Sequence, residues 1–268
     1  MAITLRYLGW TAFEITMADG FRILLDPMLA GRPAEGVPPG PVGVEAFDTL
    51  DLILVTHVAA DHVGQAFEIM QRSRATLVCD YATRVKALAA GIAADRVLGM
   101  LSGVQFKLGE TYVKALPAIH ASFSQLGENQ YIYCQPLSYL ITAPTGERIF
   151  FGGDTSITSD HKLFGELYRP HVAMLGVGGV NSHGQSFTEL YPDEAAMVAK
   201  WLGVKVAFPM HYRFDEGALF AREVKKRAPR CKAVLLKPGE SHRFGAGRTD
   251  ATHRPAAAPA RPARPRRR

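Results

Sequence analysis

Nine histidines are spread along the 268 residues, and four of them stand where a metal ion could use them. His57 and His62 flank Asp61 in the run His57-Val-Ala-Ala-Asp61-His62. His120 opens His120-Ala-Ser122, Asp154 follows Gly152-Gly153, and His211 follows Met210. Neutral imidazoles and carboxylates are the donors that Zn²⁺, Mn²⁺ and Fe²⁺ accept, and an ion held by them activates water for hydrolysis. A lone histidine at a strand end is more often a hydrogen-bonded structural residue, and Asp154 alone reads equally as a turn residue or helix cap. Four such junctions in succession favour one shared metal site. His161, His171, His242 and His253 lack this placement and read as structural or surface residues.

Each junction closes an apolar stretch that reads as a strand: 51–56 before His57, 112–119 before His120, 149–153 before Asp154 and 204–210 before His211. Loops beyond strand ends gather sites in α/β proteins, because rigid elements aim several loops at one crevice. The chain opens with strands at 3–8, 12–16 and 21–25, the last two joined by an Asp19-Gly20 turn that reads as a hairpin. A Gly- and Pro-rich loop over 31–43 follows, then strand 51–56, helix 63–72, strand 75–79 and helix 82–90. Two more hairpins, 104–118 and 137–151, precede an alternation of helices at 160–168, 192–202 and 217–227 with strands at 172–175, 204–208 and 233–236. Pro192 suits the first turn of its helix, where Asp193 and Glu194 favour the dipole. Frequent hairpins followed by strand–helix alternation, twice over, suit two mixed sheets packed together with helices outside. That is an α/β, four-layer αββα sandwich; a doubly wound parallel sheet fits less well.

Composition bounds the reading. The net charge is +6, from 31 basic and 25 acidic residues, but residues 251–268 hold six arginines and no acid, so residues 1–250 balance. The basicity belongs to a tail rich in Arg, Pro and Ala that reads as disordered. A neutral body lacks the basic stripe of a nucleic-acid groove, leaving weak anionic contacts to the tail. Hydrophobic residues at 47% and charged residues at 21% are globular values. No apolar run is long enough for a membrane helix, and the first residues lack the order of a signal peptide. Cys79, Cys134 and Cys231 form no C-x-x-C and read as reduced cytosolic thiols. No serine-hydrolase elbow, P-loop or zincin motif occurs.

The run Thr56-His57-Val58-Ala59-Ala60-Asp61-His62, then His120, Gly153-Asp154-Thr155 and Pro209-Met210-His211-Tyr212, resembles the metallo-β-lactamase superfamily. That superfamily's signature is H-x-H-x-D-H, a later His, a bridging Asp and a final His. Tyr7-Leu8-Gly9, Leu25-Asp26-Pro27, Gly178-Gly179 and the helix from Pro192 are similar to its ascorbate-6-phosphate-lactonase-like, metal-dependent hydrolase branch. The resemblance spans about residues 3–244. It implies the αββα fold, a hydrolase domain over residues 1–246 and a tail over 247–268. It also implies that His57 and His120 bind a first metal and Asp61, His62 and His211 a second, with Asp154 bridging. Asp61 would orient the water and take its proton. The implied substrate is a small lactone, phosphorylated sugar lactone, ester or amide, with phosphodiesters as the alternative; the cysteine usage points to a cytoplasmic setting. Self-association into a homo-oligomer is left open.

The sequence departs from the signature where the second His should stand, at Ala59, and has Trp10-Thr11 where a His-Ser pair is usual. Three readings follow. A hydrolase works with one tightly held ion at Asp61, His62, Asp154 and His211, freeing His57 or His120 as a base or substrate-binding group. Alternatively a ligand from elsewhere, His183 or a substrate atom, completes a two-ion site. Or the site is degenerate and the protein is a binding module. The retained ligands favour catalysis. The aromatic-rich loop over 122–133, just after His120, reads either as a substrate contact or as an ordinary surface loop.

Overall fold

The structure is a computed structural model that describes residues 2–178 and 189–245. In chain order the strands are β1 (Ile3–Gly9), β2 (Ala12–Thr16), β3 (Arg22–Leu25), β4 (Leu52–Leu54), β5 (Thr76–Asp80) and β6 (Val97–Met100). Then come β7 (Gln105–Leu108), β8 (Thr111–Pro117), β9 (Phe123–Gly127), β10 (Gln130–Tyr133), β11 (Leu137–Thr142) and β12 (Arg148–Phe151). The last are β13 (Val172–Gly176), β14 (Val206–Met210), β15 (Lys232–Ala233) and β16 (Ser241–Phe244). Helices are α1 (Ala60–Val63), α2 (Ala66–Arg72), α3 (Tyr81–Ala89), α4 (Asp160–Tyr168), α5 (Pro192–Leu202) and α6 (Glu216–Arg227).

Two seven-stranded mixed sheets form, in the orders β16-β1-β2-β3-β4-β5-β6 and β15-β14-β13-β12-β11-β8-β7. In each, hairpins make one side antiparallel and βα crossovers make the other parallel: β3 to β6 in the first, β12 to β15 in the second. Alternation in β1 turns Ile3, Leu5 and Tyr7 inward to a core that both sheets share, with Phe13, Tyr139, Phe151 and Phe208. The Tyr139 hydroxyl crosses between sheets and donates to the Val55 carbonyl at 2.8 Å. On the outer faces, Ile69 and Met70 of α2 cluster with Ile53 of β4, and Phe164, Leu202 and Phe220 of α4, α5 and α6 cluster with Phe150 of β12. The αββα sandwich expected from the hairpin pattern is the observed fold.

The structure also corrects the reading of local elements. The single helix expected over 63–72 is two, α1 and α2, broken at Gly64. There φ is +44°, and a Cβ would fall 2.2 Å from the Pro27 carbonyl oxygen, so the chain cannot carry a side chain through that approach. Strand β6 escaped notice because Gly99 and the exposed Leu98 interrupt its pattern. The short polar β16 returns from the second half to pair with β1, Ile3 opposite Phe244. The segment 122–133 is a two-stranded hairpin, with Tyr133 opposite Phe123. The Gly- and Pro-rich loop holds a single 3₁₀ turn at Pro33–Glu35. Residues 247–268, expected to form a tail, lie outside the described residues.

Candidate metal centre

Strand β3 runs parallel to β4, and β12, β13 and β14 run parallel to one another; β3, β4, β12 and β14 end on one edge, where Asp26, His57, Asp154 and His211 follow. Helix α1 adds Asp61 and His62, and the end of β8 leads to His120. All six expected ligands meet there. Asp154 Oδ2 is the hub: His62 Nε2 lies at 3.1 Å, His211 Nε2 at 3.4 Å and His120 Nε2 at 3.8 Å. His211 Nε2 is also 3.3 Å from Asp61 Oδ2. Donors bound to one ion at about 2.1 Å in a tetrahedron lie roughly 3.4 Å apart, so these separations suit a shared cation. The fully buried His57 ring sits 4.1 Å from that of His62 and 5.0 Å from that of His120.

A layer of groups behind the ligands sets their orientation. Asp26, fully buried, takes His62 Nδ1 at 2.7 Å and accepts bonds from the Thr56 amide and hydroxyl. That carboxylate–imidazole contact turns Nε2 toward Asp154. Trp10 Nε1 donates to Asp61 Oδ2 at 3.1 Å, and its ring packs 4.2 Å from His211. The Thr11 hydroxyl contacts both the Asp26 and Asp61 carbonyls at 3.1 Å. So Trp10-Thr11, standing where the resemblance expects His-Ser, holds the same segment by other means. Trp10, Asp26 and His211 all have positive φ, of 50°, 38° and 56°, and such strain is held where surrounding structure dictates the geometry. Gly178 permits the approach of the chain to His211: a Cβ there would sit 2.0 Å from the His211 carbonyl oxygen.

The electrostatics show what the pocket demands. Burial opposes charge on Asp61, yet the His211 hydrogen bond and the charges of His62 and His211 outweigh it and hold the carboxyl well below the usual range. Asp154 is depressed for the same reason, with burial overcome by His211 and His62. His62 and His211 rise against the burial penalty, His62 through Asp154 and Asp26 and His211 chiefly through Asp154 and Asp61. Burial pushes His57 well below, and His120 below, the ordinary imidazole value. The carboxylates therefore call for positive charge. Protons on His62 and His211 provide it, or a divalent cation does so by displacing them. At this centre four buried atoms have no hydrogen-bond partner among the described residues: His57 Nε2, Asp154 Oδ1, His211 Nδ1 and Glu189 Oε2. Such a set of unpartnered polar atoms in a buried pocket fits a divalent ion.

The family model described as the beta-lactamase superfamily domain matches residues 21–212. The chain belongs to the metallo-β-lactamase superfamily. Within it, the chain is a metal-dependent hydrolase. It is 32% identical over 242 residues to a UPF0173 metal-dependent hydrolase of Methanobrevibacter smithii, covering 88% of this chain and 95% of that one. It is 35% identical over 243 residues to another from Methanopyrus kandleri, covering 88% and 97%. Among solved structures, a metallo hydrolase from Ignicoccus hospitalis aligns with TM-score 0.75 and 27% identity, covering 92% of this chain and all of that one.

Ala59, which stands where the resemblance expects a second histidine, is half-buried just before α1. Sequence reasoning missed Glu189. Its side chain is 7% exposed, and one of its oxygens, one from Asp154 and a His120 nitrogen all lie within 4.8 Å of one another. Burial, then Asp154, pushes its carboxyl up to about 7. Only its place just before the helix opened by Pro192 could have drawn attention to it. Asp26 was visible as part of Leu25-Asp26-Pro27 but not as a support for His62. His183 lies outside the described residues. His161 is buried against Phe150 and Phe164, and His171 Nδ1 accepts the Arg148 amide, both structural roles. His253 also lies outside the described residues.

Proposed function

We propose that the protein hydrolyses a small ester, lactone or amide, with a phosphorylated sugar lactone in its range, at the centre formed by Asp61, His62, Asp154 and His211. The observation that carries this reading is the convergence of His62, His211 and His120 on Asp154 Oδ2, with Asp61 beside His211. One tightly held divalent ion there, Zn²⁺, Mn²⁺ or Fe²⁺, supplies an acidified water and a Lewis acid for the substrate carbonyl. Asp61 orients that water. The bonds from Trp10 and His211 both fall on Oδ2, leaving Oδ1 to take the proton. His57, kept neutral by burial, offers Nε2 as a ligand or base.

Rim residues suit an anionic substrate. Arg32 Nη1 is 3.8 Å from Asp61 Oδ2, and the Arg213 guanidinium lies 5.5 Å from the centre of the Trp10 ring. Both pair with Glu35, so the trio carries net positive charge. The hairpin of β9 and β10 exposes Phe123, Tyr131 and Tyr133 three residues beyond His120, and we assign it to the apolar part of the substrate. Catalysis is placed in residues 1–246, with 247–268 as an appendage. The three free cysteines suit a cytoplasmic setting, and no described helix is long and apolar enough to cross a membrane.

Purified full chain, tested on lactones, esters, amides and phosphodiesters with Mn²⁺ or Zn²⁺, should turn over one of the first three classes and retain about one tightly held equivalent of metal. Turnover of phosphodiesters alone would replace the substrate class. A chain without metal after preparation in supplemented medium would sink the hydrolase mechanism and favour a binding module.

A further inference from the structure

At the first-metal side of the centre the chain has lost an imidazole at position 59 and gained a carboxylate from elsewhere. We propose that Glu189 replaces the missing histidine as a ligand, so that His57, His120, Asp154 and Glu189 form a second, carboxylate-rich cation site beside the tight one. This rests on the hydrolase reading above and extends it from one ion to two.

Three independent observations support it. Glu189 is 7% exposed and its Oε2 has no partner among the described residues. A buried carboxylate oxygen left without a partner is costly and persists only where something compensates it. Next, donor atoms from Glu189, His120 and Asp154 lie within 4.8 Å of one another, as do donors from His57, His62 and Asp154. Two more orphaned atoms, Asp154 Oδ1 and His57 Nε2, belong to the same two groups, with only His211 Nδ1 on the opposite side, so most of the unmet bonding capacity at the centre gathers on one side of Asp154. Finally, the backbone at Glu189 is pinned. Leu190 is buried in the core under α4 to α6, and the Tyr191 amide donates to Glu194 Oε2 at 3.0 Å at the start of α5. The carboxylate is thus carried by a fixed helix start.

Exchanging an imidazole for a carboxylate also changes which ion the site prefers. Two imidazoles with two carboxylates form a harder donor set than three imidazoles with one, and hard donors favour Mn²⁺ over softer ions relative to the all-histidine arrangement. The site should therefore accept Mn²⁺ readily, and hold it less tightly than the pole at Asp61, His62 and His211, whose ligands are braced from behind.

Equilibrium dialysis of the metal-free full chain against Mn²⁺, with metal counting and electron paramagnetic resonance, tests this without reference to turnover. The wild type should take two equivalents and show an exchange-coupled pair. Glu189→Gln should take one, with an isolated-ion spectrum, while its metal-free melting temperature equals or exceeds that of the wild type because a buried charge is removed. Glu189→Asp, should the Gln variant not fold, is expected to weaken the second equivalent at least tenfold and leave the first unchanged. Two equivalents in Glu189→Gln at unchanged affinity would overturn the proposal, as would a wild type that never exceeds one; both leave the hydrolase reading standing. A wild type that binds no metal removes that reading as well.

Discussion

On one side of Asp154, the ligands are held by neighbours behind them: His62 by Asp26, and Asp61 by Trp10 and Thr11, with His211 packed on the Trp10 ring. On the other side, His57 Nε2 and Glu189 Oε2 end in the pocket without partners, and position 59 is a methyl group. The first side has several side-chain hydrogen bonds behind its ligands; the second has one between the Thr56 hydroxyl and His57 Nδ1, at 3.1 Å. Preorganised ligands give up less freedom on binding, so they hold metal more tightly. Ala59, which stands where the resemblance expects a second histidine, thus falls on the half with fewer supports.

Removing one ligand from each side tests that contrast most severely. His211→Ala should abolish tight metal binding and with it nearly all turnover, while His57→Ala keeps the tight equivalent; metal counting on both variants decides, and equal loss would erase the distinction. Chelation should come next. If the tight ion is present at about a thousand times its dissociation constant it contributes about 4 kcal/mol, which for a domain of this size lowers the melting temperature by ~8–16 °C on removal. His211→Ala should show little of that shift in calorimetry. Replacing a brace rather than a ligand should cost less: Asp26→Asn is expected to weaken the tight ion ~10–100-fold, measured by competition with a chelator, and no loss would mean that Asp26 only fills space. The smallest effect is expected from removing residues 247–268, which should leave metal content and kcat/KM for a small substrate unchanged.

The parts legible from the sequence were those written locally. An apolar run ending in His or Asp announces both a strand and a residue at its tip, and four of the six candidate ligands, His57, His120, Asp154 and His211, stand at such tips. Helix α5 was legible because Pro192 and its acidic first turn mark the start. Gly64 was read as a residue within a helix because its neighbours keep the apolar spacing, and only the Pro27 carbonyl lying against it shows why the helix must break. The hairpin of β9 and β10 was not recognised because its side chains are largely exposed and its alternation serves no core.

By itself, then, the sequence determined the donor types, their places at strand ends, the gap at Ala59 and the two-sheet sandwich, since each is a property of short segments and their periodicity. Tertiary structure alone decided that Asp26 supports His62 across 36 residues, that Trp10 reaches Asp61 across 51, and that Glu189 stands beside Asp154 and His120. Those relations depend on how two sheets and their outer helices pack, and nothing in the neighbourhood of any one of these residues encodes the distance to the others.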